Sequence, residues 1–391
     1  MAILAGAIAG EMTVDRLKEA EFPRTWDVLR AGVTEKVASG MVAGIWNSRI
    51  PDRVQLAHTG LRREIPGPLP MEADTIFDLA SVSKVFGTAT LAAIMVERRW
   101  ISWDTELQAL LPGYPYSGIR LRHLLSHTSG LPAWAPFWEL LRERCRELFP
   151  GHEVHEIPVP ARQKLMRELV FAIPPDVGPE TRVLYSDLSF LLLGFALEEL
   201  TRMPLDQAVS RFVWQPMGIT DAFYNRTRQS AAKAVIEQVA ATEDCPWRGA
   251  VLQGQVHDDN CWAMGGYAGH AGAFGTAKDV LIFARALLSG FVSANTLEQF
   301  WRPVALPAGC ERTLGWDTPS GAVPAVGRFF SARTVGHLGF TGTSLWIDRD
   351  AGLAVVLLTN RVHPTRENDR IKAFRPRFHD ALRADLHDLA R

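Results

Sequence analysis

Three short stretches carry side chains that could act together on a carbonyl group. The first is Phe77-Asp78-Leu79-Ala80-Ser81-Val82-Ser83-Lys84-Val85-Phe86-Gly87. Val82, Val85, Phe86, Ala89 and Ala93 recur at helical spacing, so a buried helix is expected to begin near Ser81, with Asp78 as its N-cap. Residues three apart share a helix face, which sets the Ser81 hydroxyl beside the Lys84 amine. A serine attacks a carbonyl carbon once a neighbour takes its proton, and a lysine can be that neighbour. The open N–H groups at a helix start would face any oxyanion formed there. Ser83 lacks the one-turn relation to Lys84 and is the weaker nucleophile. Taken alone, the pattern also fits a capping serine and a surface lysine.

The second stretch is Val183-Leu184-Tyr185-Ser186-Asp187-Leu188-Ser189-Phe190, entering an apolar helix. Tyr185 and Asp187 at this junction could both reach a cleft; Ser186 or Asp187 could instead simply cap the helix. The third is Gly336-His337-Leu338-Gly339-Phe340-Thr341-Gly342-Thr343-Ser344. Its glycines permit close backbone approach. An edge strand here could offer a spare N–H, such as that of Phe340, to complete an oxyanion hole with the Ser81 N–H.

These stretches need a frame to bring them together. Phe22, Trp26, Leu29, Val33 and Val37 predict an amphipathic helix over 22–39. Val42–Trp46 and Val54–His58 read as a strand pair across a Pro51-Asp52 turn, and Thr343–Ile347 and Leu353–Thr359 as a second pair. Ile371, Phe374, Phe378, Leu382, Leu386 and Leu389 predict a closing helix that Pro376 should kink or break. Strands at both ends with helices between them imply an α+β fold. One antiparallel sheet is built from both chain ends and flanked by terminal helices, with an inserted, mainly helical lobe. The expected division is one catalytic domain over 1–391, with an α/β lobe at about 20–75 and 325–391 and the helical lobe at about 76–324.

Composition narrows the function classes. The chain has 391 residues, 47% hydrophobic and 22% charged, with 42 Lys and Arg against 43 Asp and Glu and a net charge of −1. That balance gives no basic footprint for nucleic acid. No run approaches the apolar length of a membrane helix. Cys145, Cys245, Cys261 and Cys310 form no C-x-x-C and read as thiols in a reducing compartment. A cytoplasmic location is expected, with export left open because Ala7-Ile8-Ala9 loosely resembles a cleavage site. His152-Glu153-Val154-His155-Glu156 lacks H-E-x-x-H spacing, and neither metal nor organic cofactor is implied.

Together the three stretches resemble the serine β-lactamase and penicillin-binding-protein superfamily, most nearly the class C branch with its DD-peptidases, D-aminopeptidases and family VIII-type esterases. The order matches: S-x-x-K (Ser81 to Lys84), Y-x-N (here Tyr185-Ser186-Asp187), and K-T-G (here His337-Leu338-Gly339). Leu121–Pro132, Gly269-His270-Ala271-Gly272 and Leu357-Leu358-Thr359-Asn360-Arg361 support it. The resemblance implies Ser81 as acylated nucleophile and Lys84 accepting or sharing its proton. Tyr185 becomes the second acid/base group, and the Ser81 and Phe340 N–H groups hold the oxyanion. Substrate contacts are expected from Asp187, His337, Gly339, Trp134 and His257. Asp187 in place of Asn cannot donate to a substrate carbonyl, and it disfavours a Tyr185 phenolate. His337 and Leu338 remove the cation and hydroxyl that grip a substrate carboxylate in penicillin-recognising relatives. The expected reaction is therefore hydrolysis of small esters through an acyl-enzyme. Amide or peptide hydrolysis on cell-wall fragments or D-peptides is the alternative, β-lactam hydrolysis less favoured, and a non-catalytic binding domain least favoured. The partner is a small ester or amide; the oligomeric state is not specified.

Overall fold

Strand-forming residues from both ends of the chain meet in one sheet. The structure, a computed structural model, describes residues 12–226 and 233–391, so Ala7-Ile8-Ala9 lies outside the described residues. The strands are β1 (Thr13–Arg16), β2 (Gly40–Asn47), β3 (Arg53–Arg63), β4 (Leu69–Pro70), β5 (Val335–Leu338), β6 (Ser344–Asp348) and β7 (Leu353–Thr359). Their order is β1-β3-β2-β7-β6-β5, with β4 beside β3. All pairings are antiparallel except β1 with β3, which is parallel. The two strand pairs read from the sequence are β2–β3 and β6–β7, and the β2–β7 seam joins the chain ends.

Alternation along the strands gives the sheet two buried faces. Met41, Ala43, Ile45, Val355 and Leu357 face one apolar cluster with Trp26, Leu29, Phe374, Phe378 and Leu382. Those last residues come from α1 (Pro23–Thr34) and α5 (Ile371–Leu389). Val42, Trp46, Ala354, Val356 and Leu358 face the other, larger cluster, which includes Val280, Leu281 and Ala284 of α4 (Ala277–Leu288). Helix α1 ends at Thr34, short of the expected 39, because Lys36 adopts φ 55 and turns the chain toward β2. Helix α5 runs through Pro376 rather than breaking there. Phe374 and Phe378 are both anchored in the core on either side of it, and one missing N–H does not outweigh that packing, worth about 1.5–3 kcal/mol per buried aromatic.

Between β4 and β5 the chain is mainly helical. The segment Ala80–Glu97, α2, is long and apolar enough by composition to cross a membrane, contrary to the expectation that no such run exists. It is 83% buried as a core helix. Helix α3 (Asp187–Thr201) lies against it. A small sheet of Phe77–Asp78, Ala273–Gly275 and Phe223–Tyr224 ties the start of α2 to the inserted segment.

Candidate active site

The first turn of α2 is bent to serve a side chain. Ala80 sits at φ 46, a left-handed conformation costly for a residue with a Cβ, immediately before Ser81. Asp78 does not cap the helix in the usual way: its carboxylate accepts the Ala80 N–H (2.8 Å) and the His257 N–H (2.7 Å), so it braces the bend. The chain then runs through a tight turn at Ala80–Val82 and a widened one at Lys84–Ala89. The expected one-turn relation survives, and Lys84 Nζ donates to Ser81 Oγ at 2.9 Å. Ser83 faces away and accepts the Ala273 N–H at 3.0 Å. Lys84 is wholly buried and also donates to the His270 carbonyl at 3.0 Å. That carbonyl is delivered by close backbone contact: a Cβ on Gly269 would lie 1.9 Å from the Phe190 oxygen of α3.

Helix α3 supplies the facing groups. Ser186 is its N-cap, accepting the Ser189 N–H. Asp187, the first helical residue, places Oδ1 2.8 Å from Lys84 Nζ. Tyr185 precedes the cap and sets its phenol beside Lys84 and Ser81, with Lys84 Nζ 5.0 Å from the ring centroid. Its ring packs on His127 (centroids 4.5 Å apart), whose Nδ1 accepts the Ser186 N–H at 3.0 Å. His127 thus holds the Tyr185-Ser186 junction, a role the sequence reading missed although it quoted the stretch containing it.

The electrostatics follow from this packing. Burial alone would lower the Lys84 pKa, but the adjacent Asp187 and Tyr185 override it and hold the ammonium form. Burial raises the Tyr185 phenol, Lys84 pulls it down, and Asp187 pushes it back up. At neutral pH the pair is therefore ammonium and phenol. The tyrosinate–ammonium form that adjacency by itself favours is opposed by burial and by Asp187. Burial, with help from Lys84 and Arg312, also drives His337 down to about 4 against the opposing pull of Asp317. Its Nδ1 lies 2.9 Å from the Leu338 carbonyl and donates to it, so the ring is a neutral imidazole, and its Nε2 is buried with no hydrogen-bond partner among the described residues.

Phe340 lies not in an edge strand but in the turn after β5. Gly342 N donates to the Gly339 carbonyl at 3.1 Å, closing a four-residue turn with Phe340 second. In such a turn the N–H of the second residue has no partner. Among the described residues neither the Ser81 nor the Phe340 N–H meets an acceptor. The β5 edge itself is covered, because Gly336 exchanges both backbone bonds with Asp317. Thr341 Oγ1 donates to the Asp78 carbonyl (2.8 Å) and Thr343 Oγ1 to that of Leu79 (2.9 Å), which docks the turn beside Ser81. No side chain fits at Gly339, whose Cβ would lie 2.7 Å from the Leu79 oxygen.

These groups border a cleft of about 830 Å³. Ser81, Tyr185, Asp187, His337, Gly339, Phe340, Trp134 and His257 all line it, while Lys84 lies beneath. In the aromatic run of residues 134–138, Trp134 reaches it, whereas Phe137 is core and Trp138 stacks on Trp247 (4.4 Å). His257 stacks on Phe340 (5.7 Å) and pairs with Glu243 (3.2 Å). Asn260 is structural, holding the Trp138 N–H and the Ala135 carbonyl, and His270 pairs with Asp258 (2.9 Å). Asp317, Arg361, Arg366 and Arg375 complete the walls, and Arg312 lies over the Tyr185 ring at 5.3 Å. No local spacing flagged these cations, except that Arg361 closes the quoted Leu357–Arg361 stretch.

Over residues 27–375 the chain matches the Beta-lactamase family. It belongs to that family. Curated relatives include a protein named "Putative D-alanyl-D-alanine carboxypeptidase" from Salmonella gallinarum and its counterpart from Salmonella typhimurium. Each is 28% identical over 334 residues, covering 78% of this chain and 73% of the relative. Among solved structures, EstCE1, a hydrolase with promiscuous acyltransferase activity, superposes with a TM-score of 0.70 at 21% identity, covering 93% of this chain and 98% of that one. Unliganded simvastatin synthase from Aspergillus terreus gives 0.69 at 19% identity, covering 94% and 99%. The fold is that of β-lactamases and transpeptidases, and this member of the β-lactamase family is a serine hydrolase.

Proposed function

We propose that this β-lactamase-family enzyme is a carboxylesterase that cleaves small esters through an acyl-enzyme on Ser81. The observation that carries this reading is the hydrogen bond between Lys84 and Ser81 beside the Tyr185 phenol, at a cleft bordered by the Ser81 and Phe340 N–H groups, neither of which meets an acceptor among the described residues. A Tyr185 phenolate takes the Ser81 proton as Oγ bonds to the carbonyl carbon. The Ser81 and Phe340 N–H groups take the charge that collects on the carbonyl oxygen. Tyr185 returns the proton to the departing alkoxide as the ester C–O bond breaks. Water then attacks the acyl group, passing its proton through Tyr185 to the leaving Ser81 oxygen. Lys84, held as an ammonium by Asp187, donates throughout and steadies the phenolate rather than accepting a proton.

Substrate preference is argued from the cleft walls. His337 is neutral and Leu338 apolar where penicillin-recognising relatives carry a cation and a hydroxyl. Trp134, Leu338, Phe340 and Ile371 offer apolar surface to an ester. The structural neighbour EstCE1 is described as a hydrolase, which accords with this choice. The second reading is amide hydrolysis on D-peptides, favoured by the charged wall of Asp258, Arg361, Arg366 and Arg375 and by the carboxypeptidase naming of the curated relatives. A competition assay separates the two. p-Nitrophenyl acetate and butyrate are expected to turn over faster than muropeptides or nitrocefin. Faster turnover of a D-Ala-D-Ala peptide would replace the first reading with the second.

The pH dependence tests the proposed roles. The phenolate is the active form, so kcat/KM is expected to rise with pH on the alkaline side. Asp187→Asn removes a like charge from beside that phenolate, so Tyr185 ionises at lower pH. It also removes the counterion of Lys84, so the ammonium is lost at lower pH. The whole pH–rate profile of Asp187→Asn is expected to move toward acid. A profile that stays in place or moves toward alkali would contradict this assignment of base and ammonium.

A further inference from the structure

Arg375 projects from the second turn of α5 into the interior beside the oxyanion turn. It is 6% exposed, and although the Asp317 charge acts on it, no carboxylate is in ion-pair contact with it among the described residues. Instead its Nη2 donates to the carbonyl oxygens of Gly339 (3.0 Å) and Thr343 (2.9 Å). Arg361, equally buried, sits close by and donates to the Phe340 carbonyl at 2.6 Å. Burial and the Arg361 charge lower Arg375 to about 10, and it remains a cation at neutral pH. Two buried guanidiniums side by side, spent on backbone carbonyls, are an expensive way to hold a turn.

The chemistry of the peptide unit gives the arrangement a purpose. The Gly339 carbonyl and the Phe340 N–H belong to one amide. A cation on that oxygen draws electron density from the nitrogen and makes the N–H a stronger donor. The bond also fixes the amide plane, and with it the direction of the N–H. Arg361 holds the next peptide, so it steadies the turn without polarising this N–H.

We infer that Arg375 is a positioning residue of the oxyanion hole, acting through the Gly339–Phe340 amide to aim and strengthen the Phe340 N–H. This inference rests on the acyl-enzyme reading above. The charge on a substrate carbonyl grows in the transition state, so a stronger donor there raises kcat more than it lowers KM.

The test compares Arg375→Met and Arg375→Lys with the unaltered enzyme, using a slowly deacylating aryl ester and the infrared carbonyl stretch of the acyl-enzyme. A donor at the carbonyl oxygen lowers that frequency. Arg375→Met is expected to raise the stretch and to lower kcat by about 10–100-fold, below the full loss of one donor, with little change in KM. Arg375→Lys keeps the charge, is the variant more certain to fold, and should fall between. Normal stretch and kcat in Arg375→Lys and Arg375→Met would overturn the inference. So would a fall in kcat with an unmoved stretch, since mere loosening of the fold does that. If the unaltered enzyme forms no acyl adduct at Ser81, the acyl-enzyme reading fails and this inference with it. If it forms one and the variants match it, only the role of Arg375 fails.

Discussion

Ser81→Ala is expected to lower kcat/KM for p-nitrophenyl esters by about 10⁴-fold or more, the scale seen when a serine nucleophile is removed. It should also abolish labelling by a fluorophosphonate probe. The fold should be unaffected. Ser81 Oγ is one of several groups around the Lys84 ammonium, and Asp187 and the His270 carbonyl remain. Ser83→Ala is the built-in contrast. Its hydroxyl is fully buried and satisfies the Ala273 N–H, so losing it leaves a buried donor unpaired. That costs about 1–3 kcal/mol of stability but should leave the Ser81 adduct intact. Mass spectrometry of the labelled proteins, with thermal melting, reads both. An adduct that survives Ser81→Ala would remove Ser81 from the chemistry.

Lys84→Met should damage both catalysis and stability, and the two effects separate. Turnover is expected to fall by about 10²–10³-fold, the usual worth of one preorganised donor that stabilises charge in the transition state. Stability falls for another reason. The substitution leaves the Asp187 carboxylate, partly buried at 19% exposure, without its partner at 2.8 Å. Breaking one side of a buried pair costs about 3–5 kcal/mol. The double variant Lys84→Met with Asp187→Asn removes the stranded charge. It is expected to regain most of the melting temperature and none of the activity. Recovery of turnover in the double variant would mean that the ammonium serves only to neutralise Asp187.

The relation of sequence to structure differs from element to element. The β2–β3 and β6–β7 pairs were legible because short apolar runs separated by turn residues mark adjacent strands even where both strand faces are buried. The one-turn spacing of Ser81 and Lys84 was legible because helix geometry relates residues three apart regardless of the rest of the fold. The S-x-x-K, Tyr185 and Gly339 stretches located the cleft because chemistry requires particular atoms, whereas packing tolerates substitutes. Other elements were not readable. The covered edge of β5 depends on Asp317, and the brace of Tyr185 depends on His127, a residue far earlier in the chain. Trp134 and Trp138 sit four residues apart in one aromatic run, yet one lines the cleft and the other stacks on Trp247.

The amino-acid sequence alone determined the family, and it pointed to Ser81 with Lys84 one turn on, because these rest on side-chain identity at short range. The tertiary structure decided the charge state of the site and the hold on its oxyanion turn. Both depend on how far apart buried charges end up. Asp187 against Lys84, and Arg375 against the Gly339 carbonyl, acquire their strength only where folding has removed the water between them.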